Sequence, residues 1–161
     1  MNRSYFVVVI LTLAFLVGLF ACAGVPLAAF VDFPSLGVVL APALLMGFAG
    51  HSPREIARSF RVAFTKQGAS GVELGQAETY FDALVRYLAC GGALGVVVGF
   101  VAMFLATAGV GIAAASVVRD KADAVGRGTA LALVCLIYAL VLIILVALPF
   151  RTAIRKRLAA A

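Results

Sequence analysis

Four long stretches of this chain carry no charged residue, and that pattern decides most of what it can fold into. The longest, "YLACGGALGVVVGFVAMFLATAGVGIAAASVV", runs from Tyr87 to Val118. The others run from Tyr5 to about Ala23, from Leu36 to about Ala49, and from about Thr129 to Phe150. A helix needs about 20 apolar residues to cross the hydrocarbon core of a bilayer. Lipid offers no partner to a backbone N–H or C=O, so each crossing segment must satisfy its own. The strict alternation of a membrane β-strand is absent, which leaves helices. Composition agrees: 65% of the residues are hydrophobic and 12% charged, with a mean hydropathy of +1.16, against roughly 45–50% and about 25% in a soluble domain. The expected fold is an all-α integral membrane protein of four transmembrane helices.

The expected helices cover about 5–24, 35–50, 87–116 and 128–150 of a single membrane domain, 1–161, with a short helical cytoplasmic segment at about 51–86. Basic residues set the orientation. Arg3, the segment with Arg54, Arg58, Arg61, Lys66 and Arg86, and the tail with Arg151, Arg155, Lys156 and Arg157 hold ten of the 13 Lys and Arg. Arg119, Lys121 and Arg127, on the other side, are offset by Asp120 and Asp123. Positive loops stay inside, so both termini are expected in the cytoplasm. The same bias explains the net charge of +6. It is no nucleic-acid signature, because no basic cluster sits on a soluble domain.

The second stretch is the shortest, and Pro42 removes a backbone donor from its middle. It begins with "VDFPS", where Asp32 or Ser35 is placed to accept hydrogen bonds from the free N–H groups of a helix start and Pro34 suits the first turn. The N-terminal stretch has the basic start and small residues of a secretory signal. Its apolar run is longer than the roughly 7–15 residues of such a signal, and removing it would reverse the charge bias. Cys22, Cys90 and Cys135 all fall in apolar stretches, without metal-binding spacing, and read as buried small hydrophobes with no disulfide.

The segment from His51 to Val85 is too short to fold as a domain by itself. "SPREIARSFRVAF" offers Ser52 as a cap, Pro53 at the first helical position and Glu55 in the first turn. Ile56, Phe60 and Phe64 form an apolar stripe opposite Arg54, Arg58 and Arg61. "ELGQAETYFDALVRYL" predicts a second helix that feeds directly into the third span. His51, the only histidine, sits at a membrane boundary and reads as an interfacial residue.

No nucleophile–base pair, metal cluster or phosphate-binding loop is present, so neither catalysis nor a cofactor is expected. Away from their edges the stretches hold no Asp, Glu, Lys, Arg or His, which argues against a proton relay built by this chain alone. Packing information is richer. Gly91, Gly95 and Gly99 recur every four residues and line one helix face, a spacing that lets another helix approach backbone to backbone.

Three segments together resemble the MotA/TolQ/ExbB proton-channel family, and its MotA branch above all. "FVDFPSLGVVLAP" resembles the family's Y-I-D-x-P-S start of the second helix. "GGALGVVVGFVAMF" resembles the third-helix pattern G-L-I-G-T-V-x-G, and "AVGRGTALALVCLIYALVLIILVALP" resembles a fourth helix closing at Pro149. They cover about half the chain, in the family's order. The resemblance implies a bacterial inner-membrane subunit that forms a homo-oligomeric ring, a pentamer in the family. The ring surrounds a single-span MotB/ExbD/TolR-like partner that supplies the membrane carboxylate. It makes Asp32, Pro34 and Ser35 the periplasmic start of helix two, and it aligns Val96, Cys135 and Leu136 with pore-lining threonines. None of these three carries a hydroxyl, so the alternative is a ring that serves as a non-conducting membrane scaffold. The large cytoplasmic domain of MotA proper is absent from the roughly 35 residues between the second and third spans.

The charge bias makes a direct prediction about sidedness. In a variant stripped of Cys22, Cys90 and Cys135, an Arg58→Cys thiol should react only with a reagent that reaches the cytoplasm. Labelling from the periplasmic side would overturn the orientation.

Overall fold

The computed structural model describes residues 3–22, 32–64, 70–108 and 121–159. Expected helical positions 23–24 and 109–116, with Lys66, Arg119 and Asp120, lie outside the described residues. Among the described residues there are six α-helices, one π turn and no strand. The elements are α1 (Arg3–Cys22), α2 (Phe33–Gly50), α3 (Pro53–Phe64), α4 (Gly71–Thr107) and α5 (Lys121–Leu142). A π turn (Ile143–Ala147) then joins α5 to α6 (Leu148–Leu158). Three stretches are long and apolar enough to cross a membrane: Phe33–Gly50, Gly71–Leu105 and Val125–Leu158.

α4 is the axis. Its 37 residues extend about 55 Å at 1.5 Å per residue, and the polar "ELGQAETYFDALVRYL" and the apolar span are one unbroken helix, as the sequence predicts. α5 runs antiparallel along the apolar part of α4, and α2 packs against both. Val39, Ala43, Leu88, Cys135, Ala139 and Ala147 form the buried core where these three helices meet.

A second core lies at the basic end. Val62 and Ala63 of α3, Leu74, Ala77, Tyr80 and Phe81 of α4, and Phe150 and Ile154 of α6 enclose one another. Phe60 meets Tyr80, Phe81 and Phe150 edge-on, with ring centroids 5.9, 5.3 and 6.2 Å apart. The wall that completes the core of the 51–85 segment is the C-terminal tail. That tail, read from sequence as a run of basic residues, is a helix whose Ile154 is fully buried. Its cations face the acidic side of α4: Arg151 pairs with Asp82 and Arg155 with Glu78, while an Arg157 guanidinium N–H donates to the Val62 carbonyl at 3.0 Å. Exposed pairs of this kind contribute about 0–1 kcal/mol each; the buried aromatic and aliphatic surface holds this end, and the ion pairs orient α6 on it.

Several expectations are corrected in detail. The apolar stripe of α3 is rotated: Ile56 and Phe60 pack on the core, but Phe64 is 54% exposed, and Ser59, Val62 and Ala63 are the buried positions. A buried serine is tolerated because its hydroxyl donates to the Glu55 carbonyl at 2.8 Å. Ser52 caps α3 as expected, in a reciprocal box: the Glu55 N–H donates to Ser52 Oγ at 3.3 Å and the Ser52 N–H to Glu55 Oε2 at 2.8 Å. The bond from the Ser52 backbone N–H, with a smaller contribution from the Ser52 side chain, holds the Glu55 carboxyl below the usual carboxylate range. Ser70 and Glu73 build the same box at the start of α4. Cys22 and Cys90 are exposed on the protein surface, and only Cys135 is buried.

Pro149 does not end the last helix. The π turn precedes it, with the Leu148 N–H bonded to the Ile143 carbonyl. A proline ring clashes with the carbonyl four residues earlier and has no N–H to give it. The wider π turn takes up that mismatch, and the helix continues to Leu158.

Truncating Phe81 should therefore unfasten the basic end. Phe81→Ala removes a fully buried ring and should cost about 3–5 kcal/mol, read as a lower unfolding midpoint in detergent. The α3 and α6 amides should lose hydrogen-exchange protection before those of α5.

Candidate functional site

The glycine face of α4 is occupied within this one chain. A Cβ at Gly91 would lie 2.5 Å from the Val39 carbonyl oxygen of α2. One at Gly92 would lie 2.5 Å from Ala139 Cβ, one at Gly95 would lie 2.7 Å from Cys135 Sγ, and one at Gly99 2.8 Å from the Ala132 nitrogen, all on α5. α5 answers with its own small residues, Gly128, Ala132, Cys135 and Ala139, and a Cβ at Gly128 would lie 2.9 Å from the Gly99 carbonyl oxygen. This is a backbone-to-backbone seam between antiparallel helices. Sequence reading found the α4 half and missed Gly128 and its alanines, although their spacing of three to four residues was visible.

The seam fixes the register, and the register places the start of α2. The Ser35 carbonyl lies 3.8 Å from Cys135 Sγ. The Asp32 backbone N–H donates to Tyr138 Oη at 3.0 Å, and the Ser35 hydroxyl donates to Asp32 Oδ2. Ser35 is 1% exposed and Asp32 is half-buried. The start of α2 is thus level with residues 135–138 of α5, six to nine residues or about 9–14 Å inside Thr129, where the apolar run begins.

This corrects the cap reading of "VDFPS". No side chain caps α2; the Asp32 carbonyl takes the Leu36 N–H at 3.0 Å, and Pro34 occupies the first turn, where no N–H is needed. The carboxylate is left to Ser35. The Tyr138 hydroxyl and the Cys135 thiol meet the backbone of Asp32 and Ser35, and of the three groups only the Ser35 hydroxyl bonds the carboxylate. The sequence places these residues about 100 positions apart, so the cluster was invisible until α2 and α5 packed together.

The positions aligned with a pore differ in exposure. Cys135 is 1% exposed, enclosed between α2, α4 and α5, which is at odds with lining a pore. Leu136 is 41% exposed, and Val96, one residue past Gly95, is half-buried. At the basic end, a cleft of about 250 Å³ is lined by His51, Glu55, Arg58, Glu73 and Thr79 among others. Its charges are mutually engaged through the Ser52–Glu55 box and the 4.0 Å Arg58–Glu73 pair, and His51 stacks edge-on against Tyr80 at 5.3 Å. Among the described residues no group of three or more His, Cys, Asp or Glu could hold a metal.

Compared with protein-family models, curated proteins and solved structures, the chain matches none.

The seam geometry predicts the effect of a bulky residue. Gly95→Leu should disrupt the subunit itself, because the added atoms meet Cys135 inside one chain. The expected loss is at the upper end of the ~1–3 kcal/mol typical of overpacking, read as a lower unfolding midpoint of the detergent-solubilised protein. Gly126→Leu, with nothing near its Cβ direction, should leave that midpoint unchanged.

Proposed function

We propose that this chain is a multi-pass subunit of a bacterial inner-membrane assembly of the MotA/TolQ/ExbB kind. In this reading α1 supplies a fourth span and both termini are cytoplasmic. Copies associate as a homo-oligomer, five by the resemblance, around a single-span MotB/ExbD/TolR-like partner. The chain is not an enzyme and works by coupling events in the membrane to the cytoplasm.

The observation that carries this reading is the continuity of two helices. α4 passes unbroken from the glycine seam into the aromatic cluster at the basic end. α5 does the same through the π turn into α6. A shift in packing within the membrane would therefore move the cluster of Phe60, Phe81 and Phe150, because close-packed helices transmit displacement instead of absorbing it. The outward faces supply the surface such an assembly needs. Val97, Val101 and Phe104 of α4 and Leu133, Leu136 and Leu140 of α5 are exposed and apolar, which suits lipid or neighbouring helices.

One observation favours the non-conducting scaffold as the second reading. Val96 and Leu136, the two aligned positions that reach the surface, offer no hydroxyl to a chain of water, and an apolar constriction resists wetting.

Native mass spectrometry of the complex released from lipid nanodiscs tests the assembly. A discrete homo-oligomer is expected, with a small single-span protein retained when the complex is taken from its own membrane. A uniformly monomeric chain in nanodiscs would sink both readings.

A further inference from the structure

We propose that the exposed face of α3 binds the anionic phospholipid headgroups of the leaflet it adjoins, through Arg54 and Arg61 with Phe64 beside them. The inference needs only that the apolar helices cross a membrane. It does not depend on the ring or on a partner.

Contacts at its two ends fix how α3 lies. The ring of His51, two residues before the helix, is 5.3 Å from that of Tyr80. Phe64, its last residue, meets Phe150 at 5.0 Å, and Phe150 meets Phe81 at 5.4 Å. Both ends of this 12-residue helix are thus at the level of Tyr80 and Phe81, so α3 crosses α4 and lies along the membrane plane. The apolar run of α4 begins at Tyr87. The end of α2 is level with it, since a Cβ at Gly50 would lie 3.6 Å from the Tyr87 hydroxyl. Tyr80 and Phe81 are six or seven residues further out, about 9–11 Å along the helix. Half a helix diameter, about 5–6 Å, brings the near side of α3 to about 3–6 Å from the apolar core. The headgroup layer on each side of a bilayer is about 5–8 Å thick. α3 therefore lies at headgroup level.

The face it turns away from the protein is basic. Arg54, Ala57, Arg58, Arg61 and Phe64 are exposed and fall on one side of the helix. Residues 51–86 and 151–157 together hold nine Lys and Arg against four acids. Those four acids are engaged elsewhere. Glu55 accepts the Ser52 N–H, and Glu73 meets Arg58 at 4.0 Å. Glu78 pairs with Arg155, and Asp82 with both Arg86 and Arg151. Arg54 and Arg61 stand about 10 Å apart along α3, and because the helix lies flat both address the same leaflet. Guanidinium groups match phosphate oxygens in a two-pronged bond, and cations beside an anionic leaflet are drawn to it. Phe64 is 54% exposed, and an aromatic ring at this level suits the boundary between headgroups and acyl chains. A soluble acidic partner would first have to displace the lipid that surrounds α3 at this depth.

Hydrogen exchange of the unmodified chain in nanodiscs tests this. With phosphatidylglycerol mixed into phosphatidylcholine, the α3 amides should exchange about twofold or more slower than in phosphatidylcholine alone, and the α5 amides should not change. High salt should weaken the difference. Arg54→Gln together with Arg61→Gln should erase it. The chain holds no tryptophan, so Phe64→Trp adds a single emitter, whose quenching by neutral acrylamide should fall when phosphatidylglycerol is present. Equal α3 exchange in the two lipids would overturn the proposal, whatever the reporter does. So would a difference that survives both arginine substitutions. The same protection produced by inorganic phosphate over phosphatidylcholine would assign the face to a soluble anion and overturn the lipid reading. None of these results alters the oligomer count, so this proposal and the assembly fail separately.

Discussion

Everything else in the structure depends on how closely α4 and α5 approach along their small residues. In lipid the hydrophobic effect does not drive helices together, because a neighbouring tail is as apolar as a leucine. Contact between backbones supplies dispersion that lipid cannot match at a grooved surface. Here the grooves come from Gly92, Gly95 and Gly99 on one helix and Gly128, Ala132 and Ala139 on the other. A methyl group at any of the α4 positions would collide with α5. The approach is therefore set at single-atom resolution by which small residues face one another, and so is the register.

From that register two consequences run in opposite directions. Toward the basic end, it carries α6 alongside the polar start of α4, so that Phe150 meets Phe81 and Arg151 meets Asp82. The π turn lets α6 arrive there despite Pro149. Toward the other end, it gives α2 a shelf: Val39 packs against Gly91, Val38 approaches Gly95, and Asp32 reaches Tyr138. Pro42 lies one turn past these contacts, inside a helix that stays continuous. The membrane core and the aromatic cluster are two ends of one alignment.

The seam glycines of α4 are used up within the chain. Small residues every four positions signal close helix packing, and the same pattern serves a helix of the same chain or of another. With the seam filled by α2 and α5, the surface left to meet lipid or any neighbouring helix is the large apolar side chains on the outer faces of α4 and α5. Those faces present bulk and shape with little polarity. The polar chemistry is set inward, at Asp32, Ser35 and Tyr138.

The sequence by itself determined the class, because uncharged runs of membrane-crossing length admit only helices in lipid. It also determined the Ser52 cap of α3, the unbroken α4 and the presence of a close-packing face on it, all local properties read within one turn or one helix. Two signals went unread although they were there: the Gly128, Ala132, Ala139 stripe and the apolar Phe150 and Ile154 within a basic tail. What only the tertiary structure decided was who meets whom. Asp32 stood at the edge of an apolar run, and nothing local reveals that α2 starts level with the interior of α5. Depth is a relation between helices, set by which glycine faces which alanine. Cys135 likewise aligned with a pore position by pattern, yet it is enclosed because a helix face turns by about 100° per residue and the seam claimed that direction first.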